Sequence, residues 1–263
     1  MKQLSLHGTA LEISGSGTPV VLLHGVGLNQ SIWAGQVKAL ASDFQVITYD
    51  LLGHGRSVAA DASAPLADWV GQLNNVVRDL ELQKFALVGF SFGGLIAQAY
   101  AAQHSRLIGG LVLMSTVYDR SLAERAGVLS RLEAAQREGP HAIISVALSR
   151  WFSPEFAGAH PEIVNQYEAI LRSNDAASFL SAYECFAMAD RELVGALAAF
   201  DRPALVMTGE LDTGSTPDMA RKLAGMIPGA ECSIIAGGRH MMPVEMPDAV
   251  NSELRRFLKM GIR

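Results

Sequence analysis

Short apolar runs that stop at glycine alternate with amphipathic stretches through the first half of the chain. Residues 20–23 form one such run and stop at His24-Gly25. Residues 45–49 form another, followed by Asp50 and then Gly53. Residues 85–88 stop at Gly89, and residues 111–114 form a fourth run. Short β-branched runs bounded by glycine suit strands buried on both faces. Between them, residues 31–40, 65–80 and 92–102 carry apolar side chains at helical spacing. The β-α-β-α order predicts a mostly parallel twisted sheet with right-handed crossovers and helices on both faces.

The rhythm changes after Tyr118. From there to Phe200 the pattern is helical, and Gly139-Pro140, Ser153-Pro154 and His160-Pro161 break it into pieces. Strand-like runs return at residues 204–208 and 231–235, and residues 247–258 form a closing amphipathic helix. The expectation is an α/β core of residues 1–117 and 201–263, with residues 118–200 inserted as a helical cap. No internal repeat interrupts this plan.

Composition narrows the function classes. The chain has 263 residues, of which 49% are hydrophobic and 18% charged, enough apolar material for a sizeable core. A net charge of -5 offers no basic stripe for a phosphate backbone, so nucleic acid is not an expected partner. No apolar run approaches the roughly 20 residues that span a bilayer. Residues 1–13 lack a basic segment followed by an apolar one, so no leader is expected and the default is a soluble cytoplasmic protein. Cys185 and Cys232 stand alone, outside any CxxC, and read as buried thiols of a reducing compartment. The seven histidines form no H-x-H or H-E-x-x-H cluster, and neither a metal nor another cofactor is expected. A small-molecule substrate is the expected partner, and a homodimer stays open.

The strongest motif is Gly89-Phe90-Ser91-Phe92-Gly93, a G-x-S-x-G between a strand run and a helix. A turn that tight leaves no room for side chains at 89 and 93 and lifts the serine hydroxyl above the sheet. The helix start behind it favours developing negative charge. His24-Gly25-Val26-Gly27 follows the first strand run in the same way. The main-chain N–H groups of Val26 and Phe92 are therefore the candidate oxyanion donors. Asp50-Leu51-Leu52-Gly53-His54-Gly55-Arg56-Ser57 reads as a loop beside the site, with His24, His54 and Arg56 structural.

A lone serine needs a base, and the base needs an orienting acid. In the chain order Ser, acid, His, the acid should end a late strand. Asp212, in Gly209-Glu210-Leu211-Asp212, is the choice, with Glu210 the alternative. Thr216-Pro217 behind it reads as a helix cap. The base is His240, since no other histidine lies beyond His160. Histidine takes and returns a proton near neutrality.

With these residues in hand, the whole chain resembles capped α/β-hydrolases. HGVG, DLLGHGRS, GFSFGG, GELD and GGRH occur in that family's order and approximate spacing. Serine in the turn argues against the dehalogenases and epoxide hydrolases, which place aspartate there. The 3-oxoadipate enol-lactonase group is the nearest resemblance. It is carried by HGVGLNQSIW (24–33), by RWFSPEF (150–156) in the inserted segment, and by NDAASFLSAYECFAMADREL (174–193). This resemblance implies hydrolysis of an ester, enol-lactone or similar acyl bond of a small, carboxylated metabolite through an acyl-serine. Trp151, Phe152, Phe156, Tyr183 and Phe186 are expected around an apolar pocket. Arg150 is a candidate grip for a substrate carboxylate. Three further readings stay open: a carbon–carbon hydrolase of vinylogous diketones, a ligand receptor on the same fold, and perhydrolysis as a side activity.

Overall fold

The computed structural model describes residues 2–261. Eight strands form one sheet in the order β1-β2-β4-β3-β5-β6-β7-β8. They are β1 (Lys2–Leu6), β2 (Thr9–Ser14), β3 (Pro19–Leu23), β4 (Gln45–Tyr49), β5 (Phe85–Phe90), β6 (Ile108–Met114), β7 (Ala204–Gly209) and β8 (Glu231–Ile235). The pairings β1–β2 and β2–β4 are antiparallel, and every other pairing is parallel. The expected strands all form. The antiparallel β1–β2 hairpin at the edge was not anticipated.

Every residue of β5, β6 and β7 is buried. This is why their sequences read as continuous apolar runs rather than alternating ones. The covering helices are α1 (Ala34–Leu40), α2 (Leu66–Asp79) and α3 (Phe92–His104). Beyond β6 the chain runs through α4 (Leu122–Glu138), α5 (Ile144–Trp151), α6 (Pro154–Ala159), α7 (Pro161–Ser173) and α8 (Ala176–Met188) before returning as β7. Three helices then close the chain: α9 (Pro217–Met226), α10 (Met242–Glu245) and α11 (Pro247–Gly261).

Local chemistry sets these helix limits. Ser121 and Glu124 form a reciprocal capping box at the start of α4. Proline opens α6, α7 and α9 at their first positions, where its missing N–H costs nothing. The five helices between β6 and β7, the cap hereafter, dock on the core through a few side chains. Ser178 Oγ accepts the Ala60 N–H, Ser181 Oγ accepts the Ala64 N–H, and Asn174 Nδ2 donates to the Gly27 carbonyl.

One expectation needs correction. Cys232 is exposed on the edge strand β8 rather than buried, whereas Cys185 is buried in α8, and both thiols are free. No helix among the described residues is long and apolar enough to cross a membrane.

Candidate active site

Ser91 sits between β5 and α3 with φ 54° and ψ -114°. That conformation is strained for any residue with a side chain. The turn is pinned on its main chain. Ser91 N–H donates to the Met114 carbonyl at 2.9 Å, and Thr116 Oγ1 donates to the Ser91 carbonyl at 2.8 Å. A Cβ at Gly93 would come within 2.6 Å of the His24 carbonyl oxygen, so the close approach of α3 to β3 requires glycine there.

The loop after β3 is held by two buried histidines. His24 Nδ1 donates to the Gly25 carbonyl at 2.8 Å, and His24 Nε2 accepts the Leu51 N–H at 2.9 Å. His54 Nε2 accepts the Gly27 N–H at 2.9 Å, and its Nδ1 lies 3.0 Å from the Leu52 carbonyl. Burial pushes their pKa values down to about 4 for His24 and about 3 for His54. Both rings are therefore neutral, each donating from Nδ1 and accepting at Nε2. Arg56 pairs with Glu12 at 2.9 Å, away from the serine. The loop so held presents Val26. Neither the Val26 nor the Phe92 amide donates to a protein acceptor among the described residues. The Phe92 ring faces away, edge-on to Trp69 at 5.1 Å, and only its main chain remains beside Ser91.

Beyond β7, Asp212 Oδ1 accepts the N–H groups of Gly214 and Ser215 at 2.8 and 2.9 Å. Its Oδ2 lies 2.7 Å from His240 Nδ1. Burial alone would raise the Asp212 pKa. The imidazole and the two amides outweigh it and hold the carboxyl below its ordinary value. Glu210 is exposed and accepts the Gly237 N–H, so it is Asp212 that meets His240. With Nδ1 bound to aspartate, His240 keeps Nε2 for another partner. Its ring neighbours Phe90, at 5.0 Å, and Trp151, at 6.0 Å and 28°.

Ser91 and His240 face one cavity of about 220 Å³ beneath the cap. Val26, Trp151, Tyr183 and Phe186 line it with them. Phe152 does not. The chain leaves α5 after Trp151 with Phe152 extended (φ -110°, ψ 151°), and its ring packs between Phe156 and Tyr167 at 5.5 and 5.7 Å. Phe156 goes with it, so both belong to the interior of the cap.

Three arginines reach the cavity, two of which the sequence reading passed over. Arg120 is committed: it pairs with Asp190 at 2.8 Å beside Arg125 and stacks on Phe186 at 4.7 Å. Arg131 Nε donates to Tyr183 Oη at 3.2 Å. Arg150 has no hydrogen bond or ion pair among the described residues. Its guanidinium packs against Gly214, where any Cβ would collide with it. Burial and the like charge of Arg131 lower its pKa. The acid on this wall, Glu124, is engaged by the Ser121 N–H at 2.7 Å. Among the described residues, no group of three His, Cys, Asp or Glu side chains could hold a metal ion.

An alpha/beta hydrolase family model matches residues 20–253, most of the chain. The chain belongs to that family. It is 31% identical over 259 residues to the (E)-2-((N-methylformamido)methylene)succinate hydrolase of Acinetobacter baylyi, covering 98% of this chain and 97% of that one. Among solved structures it is similar to the enol-lactonase from Burkholderia xenovorans LB400 (TM-score 0.89, 29% identity, covering 98% and 100% of the two chains). A thermophilic esterase from Thermogutta terrifontis, with malate bound, matches equally well (TM-score 0.89, 27% identity, 100% of each chain). This hydrolase thus shares both sequence and shape with enzymes of acyl chemistry over its whole described length.

Proposed function

We propose that this hydrolase cleaves an ester, lactone or related acyl bond of a small carboxylated compound through an acyl-serine. The observation that carries the reading is the 2.7 Å contact of Asp212 with His240 Nδ1, on the wall of the cavity that Ser91 enters. In the first half-reaction His240 Nε2 takes the Ser91 proton as Oγ bonds to the substrate carbonyl carbon. The oxyanion so formed accepts from the Val26 and Phe92 amides. Collapse breaks the acyl bond, and the imidazolium returns its proton to the leaving oxygen. Water then attacks the acyl-serine with His240 again as base, releasing the acid and restoring Ser91.

The carboxylate is inferred from Arg150. A half-buried guanidinium with no hydrogen-bonded or ion-paired partner among the described residues, close to a second cation and feeling Asp212 only at longer range, gains most from an anion that offers two oxygens. Two of the compared proteins agree in kind: one is named for a substituted succinate, and another was solved with malate. A cavity of about 220 Å³ suits a compact acid better than a long acyl chain.

Rapid mixing with p-nitrophenyl acetate, followed by mass spectrometry of the quenched protein, tests the route. The expected result is a burst with an acetyl adduct on Ser91, absent from Ser91→Ala. Turnover without a burst or adduct, or a burst that survives in Ser91→Ala, would remove Ser91 from the chemistry.

A further inference from the structure

The last turn of α5 is bonded to the loop that carries His240 at three places. Arg239 Nη1 donates to the Ser149 carbonyl at 3.3 Å. Met241 N–H donates to the Trp151 carbonyl at 3.0 Å. Glu245, at the end of α10, accepts the Ser153 N–H at 3.3 and 3.2 Å, and its Oε1 also accepts the Ser153 hydroxyl. Ser153 Oγ in turn accepts the Phe156 N–H at 3.1 Å and so begins α6. Residues 239–245 of the core and 149–153 of the cap therefore form one bonded unit. Within it the Trp151 ring lies 6.0 Å from the His240 ring and within 28° of parallel to it.

The core fixes only part of the base. Asp212 holds Nδ1, and Phe90 of the core lies 5.0 Å from the ring. The other ring neighbour, Trp151, is a cap residue, and what holds that cap residue to the loop is this set of bonds. Glu245 is the one carboxylate in the set, and a bond to a charged acceptor is about twice as strong as a neutral one. Arg150 lies in the same turn.

We infer that Glu245 is a positioning residue for His240, acting through Ser153 and Trp151, so that the cap turn carrying the anion grip also sets the angle of the base. The inference rests on the hydrolase reading with His240 as base. A reacting group misplaced by about 1 Å can lose up to about a hundredfold in rate. The loss should fall on kcat, because p-nitrophenyl acetate carries no carboxylate for Arg150 to hold.

The test is steady-state hydrolysis of p-nitrophenyl acetate by the full chain and five variants, with thermal melts of each. Glu245→Ala should lower kcat about tenfold with KM within twofold of wild type. Ser153→Ala should lose several-fold, and the double variant should be no worse than Glu245→Ala within a factor of two. Glu245→Gln, which keeps an acceptor for Ser153, should recover to within about threefold of wild type. Ser181→Ala removes a different cap–core bond and should lower Tm while leaving kcat within twofold. The inference is overturned if Glu245→Ala keeps wild-type kcat, if the two losses multiply, or if Ser181→Ala loses as much. Should Glu245→Ala fail to fold, Ser153→Ala and Glu245→Gln decide by the same criteria. Wild-type turnover checks the hydrolase reading separately: an active wild type with indifferent variants sinks the positioning role alone, and an inert wild type sinks both.

Discussion

At Ser91 the backbone and the side chain make opposite demands. The turn between β5 and α3 holds φ at 54° and ψ at -114°, a conformation only glycine adopts freely. Ser91→Gly should therefore be more stable than Ser91→Ala by about 1 kcal/mol, since alanine keeps the clash and glycine sheds it. Thermal or urea denaturation of the two inactive variants measures the difference, and equal stability would mean that the turn is unstrained. At this scale the sequence was most informative where a residue's role follows from its place between two elements. Ser91, Asp212 and His240 each follow a strand run, so chain order pointed to Ser91 and His240 and left Asp212 beside Glu210, which the structure turns to the Gly237 N–H instead. Arg131 has no such marker. It is one of many arginines on a helix, and it reaches the cavity only because α4 lies above the sheet. Phe152, expected at the pocket, turns away because α5 ends between it and Trp151 and its ring packs on Phe156 and Tyr167.

The loops behave as elements in their own right. His24 and His54 hold the turn after β3 only while neutral, because each needs an unprotonated Nε2 to accept an amide. The unfolded chain takes up protons on both as pH falls below about 6.5, while the folded chain resists down to about 4 for His24 and about 3 for His54. Their contribution to stability is complete above about 6.5 and shrinks as pH falls through that window, by about 2 kcal/mol per histidine at pH 5. Melts between pH 7.5 and pH 5 should show a steady fall in Tm. His54→Gln, which can still accept the Gly27 N–H, should flatten the slope. A wild-type Tm that does not move over that range would contradict the neutral pairing. The element read least well from sequence was the β1–β2 hairpin. It forms the antiparallel edge of the sheet, joined to the parallel strands only through β4, and no glycine-bounded apolar run marks it. Leu11 and Ile13 alternate with Glu12, which was a legible period of two.

For the whole molecule, the decisive fact is that one wall of the cavity is core and the other is cap. The core supplies Ser91, His240 and Val26, and the cap supplies Arg131, Arg150, Tyr183 and Phe186. On the function proposed above, the first set does the chemistry and the second chooses the substrate. Sequence reading saw the first wall clearly, because its parts are punctuated by glycine and proline. It saw the second in part: Arg150, Trp151, Tyr183 and Phe186 were expected at the cavity and line it, whereas Arg131 was passed over and Phe152 and Phe156 turn away, because which face of a cap helix turns inward depends on docking. Selectivity should accordingly separate from chemistry. Arg150→Met should cut kcat/KM for p-nitrophenyl hydrogen succinate by about ten- to a hundredfold, the loss expected for a charge-assisted bond worth about 1.5–3 kcal/mol. The same variant should change p-nitrophenyl acetate by less than about threefold. Arg131→Met should act in the same direction and more weakly, since its Nε already serves Tyr183. If both esters fall together, Arg150 supports the fold of the cap rather than a carboxylate. If neither falls, the substrate's charge is read elsewhere on the cavity wall.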